Sequence, residues 1–246
     1  MRKLLCVGVF ALLFISCDVK EKKGEVSQQI TFEMKTFKQE SGSGCIGDSI
    51  VCASYEVAYP VFSGLDSAVA NKIHQQITAM VSMGNPEMEG KPMDSIAADF
   101  FAGFEQFGAE MEGEVMGWYY GATATVEVLT DSLISISVQD EYFTGGAHGG
   151  SGVYYFNINP KTGAEFTLDN FFKEGYKQPL TSLAEGLFRK ERELADTASF
   201  SENGFEFPED QFQLNQNYGF TKEGIVFYYN NYEVGPYVLG PTQVMV

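Results

Sequence analysis

The chain has 246 residues, of which 16 are Lys or Arg and 33 are Asp or Glu, so its formal net charge is −17. With 44% hydrophobic and 14% aromatic residues, the composition is that of a globular protein and not of a disordered acidic segment. The acidic excess argues against nucleic acid as a partner and against a basic surface for anionic lipid, because both need clustered Lys and Arg.

The first 17 residues have the pattern of a bacterial lipoprotein signal. A basic start, Met1–Lys3, precedes an apolar run over residues 4–15, which is shorter than the roughly 20 residues that cross a bilayer. The run ends in Phe14-Ile-Ser-Cys17, which resembles a lipobox. We therefore expect residues 1–16 to be a signal peptide that is removed, and Cys17 to carry lipid, including palmitate. The lipid would anchor the protein in the bacterial cell envelope, on the periplasmic face or at the cell surface; the alternative is a secreted protein with an incidental cysteine.

Polar residues follow the expected anchor. Residues 18–29 have no apolar stripe, so we predict that residues 17–47 form a flexible tether, with a helical extension as the weaker alternative. Loss of the signal peptide removes Arg2 and Lys3, which leaves 14 basic against 33 acidic residues and a mature charge of −19.

Two cysteines, Cys45 and Cys52, remain in the mature chain. In an oxidising envelope compartment, an even pair this close in sequence predicts a disulfide, worth about 2–3 kcal/mol by loop-closure entropy. The alternative is half of a zinc site, which we disfavour because His74 and His148 lack ligand spacing to the pair.

The next segments predict a strand and a helix. Alternating apolar residues from Ile50 to Tyr59 indicate a strand that ends at Pro60. Apolar residues at helical spacing then predict a helix that starts near Asp66 and stops before Gly84. These residues are Val69, Ile73, Ile77, Met80 and Val81.

A second helix follows a loop over residues 85–92, with Asp94 or Ser95 as its cap. Its apolar stripe comprises Ile96, Phe100, Phe104, Phe107 and Met111. Such a stripe could line a ligand pocket, but packing against a sheet is the simpler interpretation.

Strands and turns dominate the rest of the N-terminal half. Alternation predicts strands over residues 118–128 and 133–138, joined by a turn at residues 130–132. A Gly-rich stretch, residues 145–152, precedes another strand over residues 153–158.

The C-terminal part predicts one more helix and a hairpin. The helix covers about residues 178–194, with residues 189–193 on its solvated side. Its predicted buried face comprises Leu180, Leu183, Leu187 and Leu194. Residues 205–214 are a linker or a short strand, residues 218–229 form a hairpin, and residues 243–246 form a final strand.

Hairpin-linked strands with helices segregated between them predict an α+β protein, built on antiparallel sheets with helices packed on one face. The length fits two small domains. We place the N-terminal domain at residues 48–152 and the C-terminal domain at residues 153–246.

Several motifs connect the chain to known envelope domains. Tyr-Glu-Val-Ala-Tyr-Pro over residues 55–60 and Glu-Tyr-Phe-Thr-Gly-Gly-Ala-His-Gly over residues 141–149 resemble the N-terminal domain first named from the PdaC peptidoglycan deacetylase. Residues 156–163, residues 168–172, and Tyr-Glu-Val-Gly-Pro-Tyr over residues 232–237 resemble its companion C-terminal domain. The pair is similar to the outer portion of RsiV, a membrane-anchored anti-sigma factor that binds lysozyme, so the second domain is RsiV-like.

This resemblance covers about residues 48–246 and implies a domain pair that recognises a cell-wall component or a lysozyme-like protein. We expect neither anti-sigma activity nor deacetylation to carry over. The sequence shows no cytoplasmic sigma-binding segment with a transmembrane helix, and no polysaccharide-deacetylase domain follows the pair.

A few residues are candidates for ligand binding. His148 lies between glycines, where a ligand could approach the backbone closely and the imidazole could act as acid, base or ligand. The alternative is an inter-strand turn in which His148 bonds the backbone. In the tyrosine-rich C-terminal run, whose rings could stack on a sugar, we select Tyr232 and Glu233. His74 is expected to be structural, and the glutamates at 105–114 a solvated helix end and not a calcium site.

Two classes of function remain open. The first is a non-catalytic envelope lipoprotein that binds or senses a cell-wall glycan such as peptidoglycan, or a basic, lysozyme-like protein. The second is a glycan-acting hydrolase or esterase, or a deacetylase accessory protein, which would need a cleft with convergent polar groups. Since no nucleophile or carboxylate partner is identifiable beside His148, we assign no catalytic residue, no metal and no cofactor.

Overall fold

The computed structural model describes residues 29–41, 52–111 and 116–246. The predicted signal peptide, Cys17 and Cys45 lie outside these residues, so the lipid anchor and the disulfide stay predictions. No helix in the described ranges is long and apolar enough to cross a membrane.

Within the described residues the chain forms eight strands and four α-helices. The strands are β1 (Thr31–Glu40), β2 (Ala53–Ser63), β3 (Trp118–Leu129), β4 (Ile134–Phe143), β5 (Gly150–Ile158), β6 (Tyr218–Phe220), β7 (Ile225–Tyr229) and β8 (Thr242–Met245). The helices are α1 (Ser67–Val81), α2 (Met93–Glu110), α3 (Leu168–Phe171) and α4 (Lys177–Glu191). This content confirms the predicted α+β class.

Within the described residues, the strands of the N-terminal sheet lie in the order β1-β2-β3-β4-β5. Neighbouring strands are antiparallel except β2 and β3, which run parallel with Ala53–Ala58 opposite Trp118–Thr123. A parallel pair needs a long crossover, which α1 and α2 supply. The sheet is therefore mostly antiparallel, as predicted, with one parallel pair that the alternating sequence pattern does not indicate.

The first hydrophobic core lies between this sheet and the helices α1 and α2. α1 is capped by Asp66, whose Oδ1 accepts a hydrogen bond from the Ala68 N–H at 2.8 Å. Tyr55 of β2 stacks on Tyr120 of β3 at a centroid distance of 5.0 Å, and its hydroxyl donates to the Val81 carbonyl at 2.7 Å. The predicted α1 stripe is buried at Val69, Ile73, Ile77 and Val81.

Two predictions for the N-terminal region are wrong. Thr31–Glu40, assigned to the flexible tether, forms β1 and pairs with β2 along its whole length. Because β1 is exposed, alternation of Phe32 and Met34 with charged residues was a weak signal. Pro60 does not end β2: pairing with β3 has stopped at Ala58, so the strand is bonded on one side only and tolerates the missing N–H.

The C-terminal unit is built on the sheet β6-β7-β8, with α4 packed against β8. The predicted hairpin turn is present, since Thr221 N donates to the Gly224 carbonyl at 2.8 Å, and β8 confirms the predicted final strand. The core of this unit is aromatic. The ring centroid of Phe188 on α4 lies within 5.9 Å of the ring centroids of five other residues: Phe200, Phe205, Phe207, Phe212 and Tyr229.

Three details of this unit differ from the predictions. Leu183, expected in the core, is 54% exposed, because the buried face of α4 is defined by Leu180, Ala184 and Phe188. Arg189, expected on the solvated side, is buried: it lies 4.0 Å from the Phe200 ring and donates to the Ala198 carbonyl at 2.9 Å. Residues 205–214, predicted to be a linker or short strand, place three phenylalanines in the core.

Asparagine side chains join the two units at the edge of β5 that faces away from β4. The Asn230 amide accepts from Val153 N at 2.8 Å and donates to Val153 O at 3.0 Å. Asn217 Oδ1 accepts from Tyr155 N at 2.9 Å. These amides satisfy backbone groups that another strand would otherwise pair. Because β5 belongs to the N-terminal sheet, the two structural units divide after β5, later in the chain than the predicted boundary between residues 152 and 153.

Candidate ligand-binding site

The junction brings predicted site residues from both units to one surface. His148 lies in the turn between β4 and β5, shortly before Val153. Asn230, which bonds Val153, shortly precedes Tyr232 and Tyr237 in the chain. The junction bonds therefore hold the tyrosine segment against the turn that contains His148.

The result is an aromatic cluster, here called the His148–Tyr237–Tyr232 stack. The rings of His148 and Tyr237 are 4.4 Å apart with 21° between their planes. The rings of Tyr232 and Tyr237 are 5.5 Å apart with 35° between planes. Tyr232 is 64% exposed and Tyr237 is 40% exposed. Tyr237 was not predicted as a site residue. Its ring connects His148 with Tyr232, which were both predicted.

His148 also bonds the backbone, as the turn interpretation expects. Its Nδ1 lies 2.8 Å from the Gly149 carbonyl oxygen. Because a carbonyl oxygen only accepts, the hydrogen bond places the proton on Nδ1 and leaves Nε2 as an acceptor in the neutral ring. The imidazole is thus oriented by the backbone while it remains exposed at the surface.

Glycines allow this turn to pack closely on a tyrosine. A Cβ atom on Gly149 would lie 2.6 Å from the Tyr142 carbonyl oxygen, and one on Gly150 would collide with the Tyr142 ring. Gly145 and Gly146 have φ angles of +94° and +93°, which side chains rarely allow. The Gly-rich motif therefore serves the close approach of its own backbone to β4.

Glu233 positions Tyr232 in its turn. Tyr232 has a φ angle of +67°, an uncommon conformation for a residue other than glycine. The Glu233 Oε2 accepts from Asn230 N at 2.7 Å, and Glu233 N donates to the Asn230 carbonyl at 3.1 Å. These bonds close the turn that presents Tyr232, so the structure gives Glu233 a supporting role beside the rings.

Arg192 fixes the other end of the same segment. Its guanidinium donates to the carbonyls of Leu239 at 2.9 Å, Gly240 at 3.0 Å and Pro241 at 2.7 Å, and to Thr242 Oγ1 at 2.7 Å. The short 3₁₀ turn that begins at Tyr237 directly precedes these carbonyls. Tyr237 is therefore held between the asparagine junction and the Arg192 clamp, which directly follows the C-terminal end of α4.

The other predicted residues do not join the stack. His74 lies half-buried on α1, and Glu105 and Glu110 lie on α2. Glu112 and Glu114 lie outside the described residues. Among the described residues, no group of three or more His, Cys, Asp or Glu side chains is placed to hold a metal ion.

Sequence reasoning missed a buried carboxyl group on the inner face of β4. Asp140 is 6% exposed; its Oδ2 accepts from the Tyr120 hydroxyl at 3.4 Å, and its Oδ1 has no hydrogen-bond partner among the described residues. Burial raises the pKa of this carboxyl, and the Gly152 N–H and the Tyr120 hydroxyl offset part of the rise. Asp140 could have been found from alternation, since it continues the inward-facing series Ile134, Ile136 and Val138.

The structure is that of a two-unit α+β protein with an exposed aromatic cluster at the junction of the units. A family described as "Deacetylase PdaC" matches residues 47–151, and one described as "Protein of unknown function (DUF3298)" matches residues 169–246. These matches confirm the predicted resemblance to a PdaC-type N-terminal domain followed by a second, C-terminal domain.

Solved structures share this fold over both units. A DUF3298 family member from Bacteroides fragilis superposes with a TM-score of 0.64 and 19% identity, covering 89% of this chain and 91% of that one. A DUF3298 family protein from Pseudomonas aeruginosa gives a TM-score of 0.60 with the same identity and coverage. No curated protein matches the chain at a significant level. At this identity the likeness shows the fold alone.

Proposed function

We propose that the protein is a non-catalytic lipoprotein of the bacterial envelope, anchored through Cys17, that binds a cell-wall glycan on the His148–Tyr237–Tyr232 stack. The observation that carries the proposal is the exposure of these stacked rings at the junction of the two units. Aromatic rings present flat apolar faces with polar edges, which suit the C–H faces and hydroxyl groups of a sugar. The His148 ring adds a polar edge, Nε2, that can hydrogen-bond a sugar hydroxyl.

The way in which the stack is held supports a binding role. Tyr232 keeps a left-handed backbone conformation, which is unfavourable for a side chain, and stays mostly exposed. Burial of an apolar ring does not explain this arrangement, whereas presentation of the ring to a ligand does. Rings oriented in advance on both units lose little conformational entropy when a ligand binds.

A binding role suits the groups around the stack better than hydrolysis. Glycoside hydrolysis uses two carboxyl groups about 5–10 Å apart, one of them free to donate a proton. The carboxylate beside the tyrosines, Glu233, instead accepts a backbone N–H and closes a turn. The alternative of a glycan-acting hydrolase or esterase is tested directly by incubating the protein with peptidoglycan fragments and looking for new products.

The binding test compares two exposed aromatic residues. Isothermal titration with soluble peptidoglycan fragments should show binding that Tyr237→Ala weakens by at least about tenfold. Phe32→Ala is the matched control, because Phe32 is also 40% exposed but lies on β1, at the opposite edge of the sheet from β5. Equal affinities of the two variants, or no binding by the unmodified protein, would refute glycan binding at the stack.

A basic protein is the second candidate ligand, and the net charge of −17 favours it. Such a field speeds the encounter with a cationic protein such as lysozyme, but charge alone gives attraction that salt abolishes. A specific interface should persist at about 0.3 M salt, where the Debye length is only about 5–6 Å, and should weaken in Tyr237→Ala. Loss of lysozyme binding at that salt concentration would reduce the interaction to charge.

A further inference from the structure

A cavity of about 450 Å³ lies between the C-terminal end of α1 and the strands β4 and β5. We call it the Asp140 cavity. Its walls include Ala79, Met80, Met83, Tyr142 and Tyr154, with Asp140 among the lining residues. The volume falls in the range of about 300–1,000 Å³ that is typical of small-molecule sites. None of these residues belongs to the His148–Tyr237–Tyr232 stack, so the cavity is a separate feature.

The polar group in this cavity is incompletely satisfied. Asp140 is more than nine-tenths buried and its Oδ1 has no hydrogen-bond partner among the described residues. The ion pairs found in the described part of the chain do not include Asp140. A buried carboxyl oxygen without a partner is costly, and such a group in a native protein calls for a ligand, an ion or a water.

The surroundings indicate which ligand would satisfy it. Tyr154 is folded over Gly152, where a Cβ atom would lie 2.6 Å from the tyrosine hydroxyl oxygen, and Gly152 is opposite Asp140 in the sheet. The cavity thus combines a carboxyl group with two tyrosine rings and two thioethers. Ring faces attract cations, and methionine adapts to irregular apolar shapes.

We propose that the Asp140 cavity binds a small organic ammonium ion, with the ammonium group against the Asp140 carboxylate and its apolar part between the tyrosine rings and the methionines. A protonated amine compensates the buried charge, which no ion pair in the described residues does. The strongly acidic chain favours a cation further. Burial raises the pKa of the Asp140 carboxyl, which agrees with a carboxylate that lacks a counter-ion in the unliganded protein.

The test compares an amine with its neutral analogue. 2-Phenylethylamine is titrated into the full chain at neutral pH and followed by isothermal titration, with 2-phenylethanol as the uncharged control. The amine should bind at least about tenfold more tightly than the alcohol, because its hydrogen bond to the carboxylate is charge-assisted. Equal affinities, or no binding of the amine up to about ten millimolar, would overturn the proposal.

Variants locate the site. Asp140→Asn should weaken amine binding at least about tenfold and remove the preference over the alcohol, while Glu174→Gln, an exposed carboxylate in another part of the chain, should change nothing. Met83→Trp, at a partly exposed wall residue, should block both probes and decides the case if Asp140→Asn fails to fold. Undiminished amine binding in either folded variant would place the site elsewhere. Glycan binding at the stack should be unchanged in Asp140→Asn, so the two proposals fail independently.

Discussion

Asp140 makes the stability of the protein depend on pH in a direction opposite to that of most carboxyl groups. Its folded pKa is raised above the ordinary value of about 4, so the folded state holds this proton more tightly than the unfolded state. Below that ordinary value Asp140 is protonated in both the folded and the unfolded state, so it does not lower the free energy of unfolding. As the pH rises through the folded pKa, ionisation of the buried group destabilises the fold.

Asp140→Asn should therefore raise the free energy of unfolding at pH 7 and flatten its decline as the pH rises above about 4. Urea unfolding at several pH values measures this, with Glu174→Gln as the control that keeps the wild-type profile. An asparagine variant that is less stable than the wild type at pH 7 would show that the carboxylate is compensated in the unliganded protein.

Arg192 is a second single residue with a large expected effect, because its side chain alone fixes a whole segment of the chain. Arg192→Lys keeps the charge but loses the guanidinium fork that reaches three carbonyls and a hydroxyl. We expect a loss of about 1.5–3 kcal/mol in urea unfolding, against less than about 0.5 kcal/mol for Lys190→Ala, an exposed neighbour on α4. Equal effects of the two changes would contradict the clamp.

At the scale of elements, α4 shows what periodicity could and could not predict. Helical spacing located the helix, but leucines were counted as its buried face, whereas the structure buries Phe188 and exposes Leu183. The rings that surround Phe188 come from residues 200–229, in segments without regular alternation. Which face of α4 meets them depends on tertiary packing that no local pattern carries.

A pair of alanine variants measures this face. Phe188→Ala should destabilise the protein by about 3–5 kcal/mol, because it leaves a cavity among five aromatic rings. Leu183→Ala should cost less than about 1 kcal/mol, since more than half of that side chain is exposed. A larger loss for Leu183→Ala than for Phe188→Ala in thermal or urea unfolding would show that the helix is rotated.

The edge of β5 was not predictable for a related reason. Asn217 and Asn230 look like ordinary turn residues in the sequence, and their amides replace strand pairing only because the fold brings them to Val153 and Tyr155. β1 was missed because a strand exposed on both faces lacks a strong apolar pattern. In contrast, local patterns suffice to predict α1, the β6–β7 hairpin and β8. Helical spacing of apolar residues indicates α1, and the strand patterns indicate the other two.

Asn230→Ala tests the junction. The variant leaves Val153 N without its partner, while Val153 O keeps the hydrogen bond that it accepts from Asn217 Nδ2 at 2.7 Å. This should cost about 1–3 kcal/mol, compared with little change for the exposed Gln211→Ala. The variant should also separate His148 from Tyr237, so the ring-current shift of the His148 protons in NMR spectra should shrink. An unchanged His148 shift would mean that other contacts hold the stack together.

At the scale of the whole molecule, the candidate site is a product of the two units. His148 and Tyr232 belong to separate motifs, and no local pattern in either motif indicates that the two residues meet. Their meeting requires the β4–β5 turn, the asparagine junction and the Arg192 clamp together. The ring that connects them, Tyr237, ends the same Tyr-Glu-Val-Gly-Pro-Tyr motif that begins at Tyr232, but the motif does not indicate that this ring meets His148.

The measurement that tests glycan binding most directly is an NMR titration of the protein with a soluble peptidoglycan fragment. If the stack binds the glycan, the ring protons of His148, Tyr232 and Tyr237 should shift together along one saturable curve, while those of Phe32 on the far edge of the sheet remain unchanged. Saturable shifts that avoid the three rings, or no shifts at millimolar fragment, would contradict it.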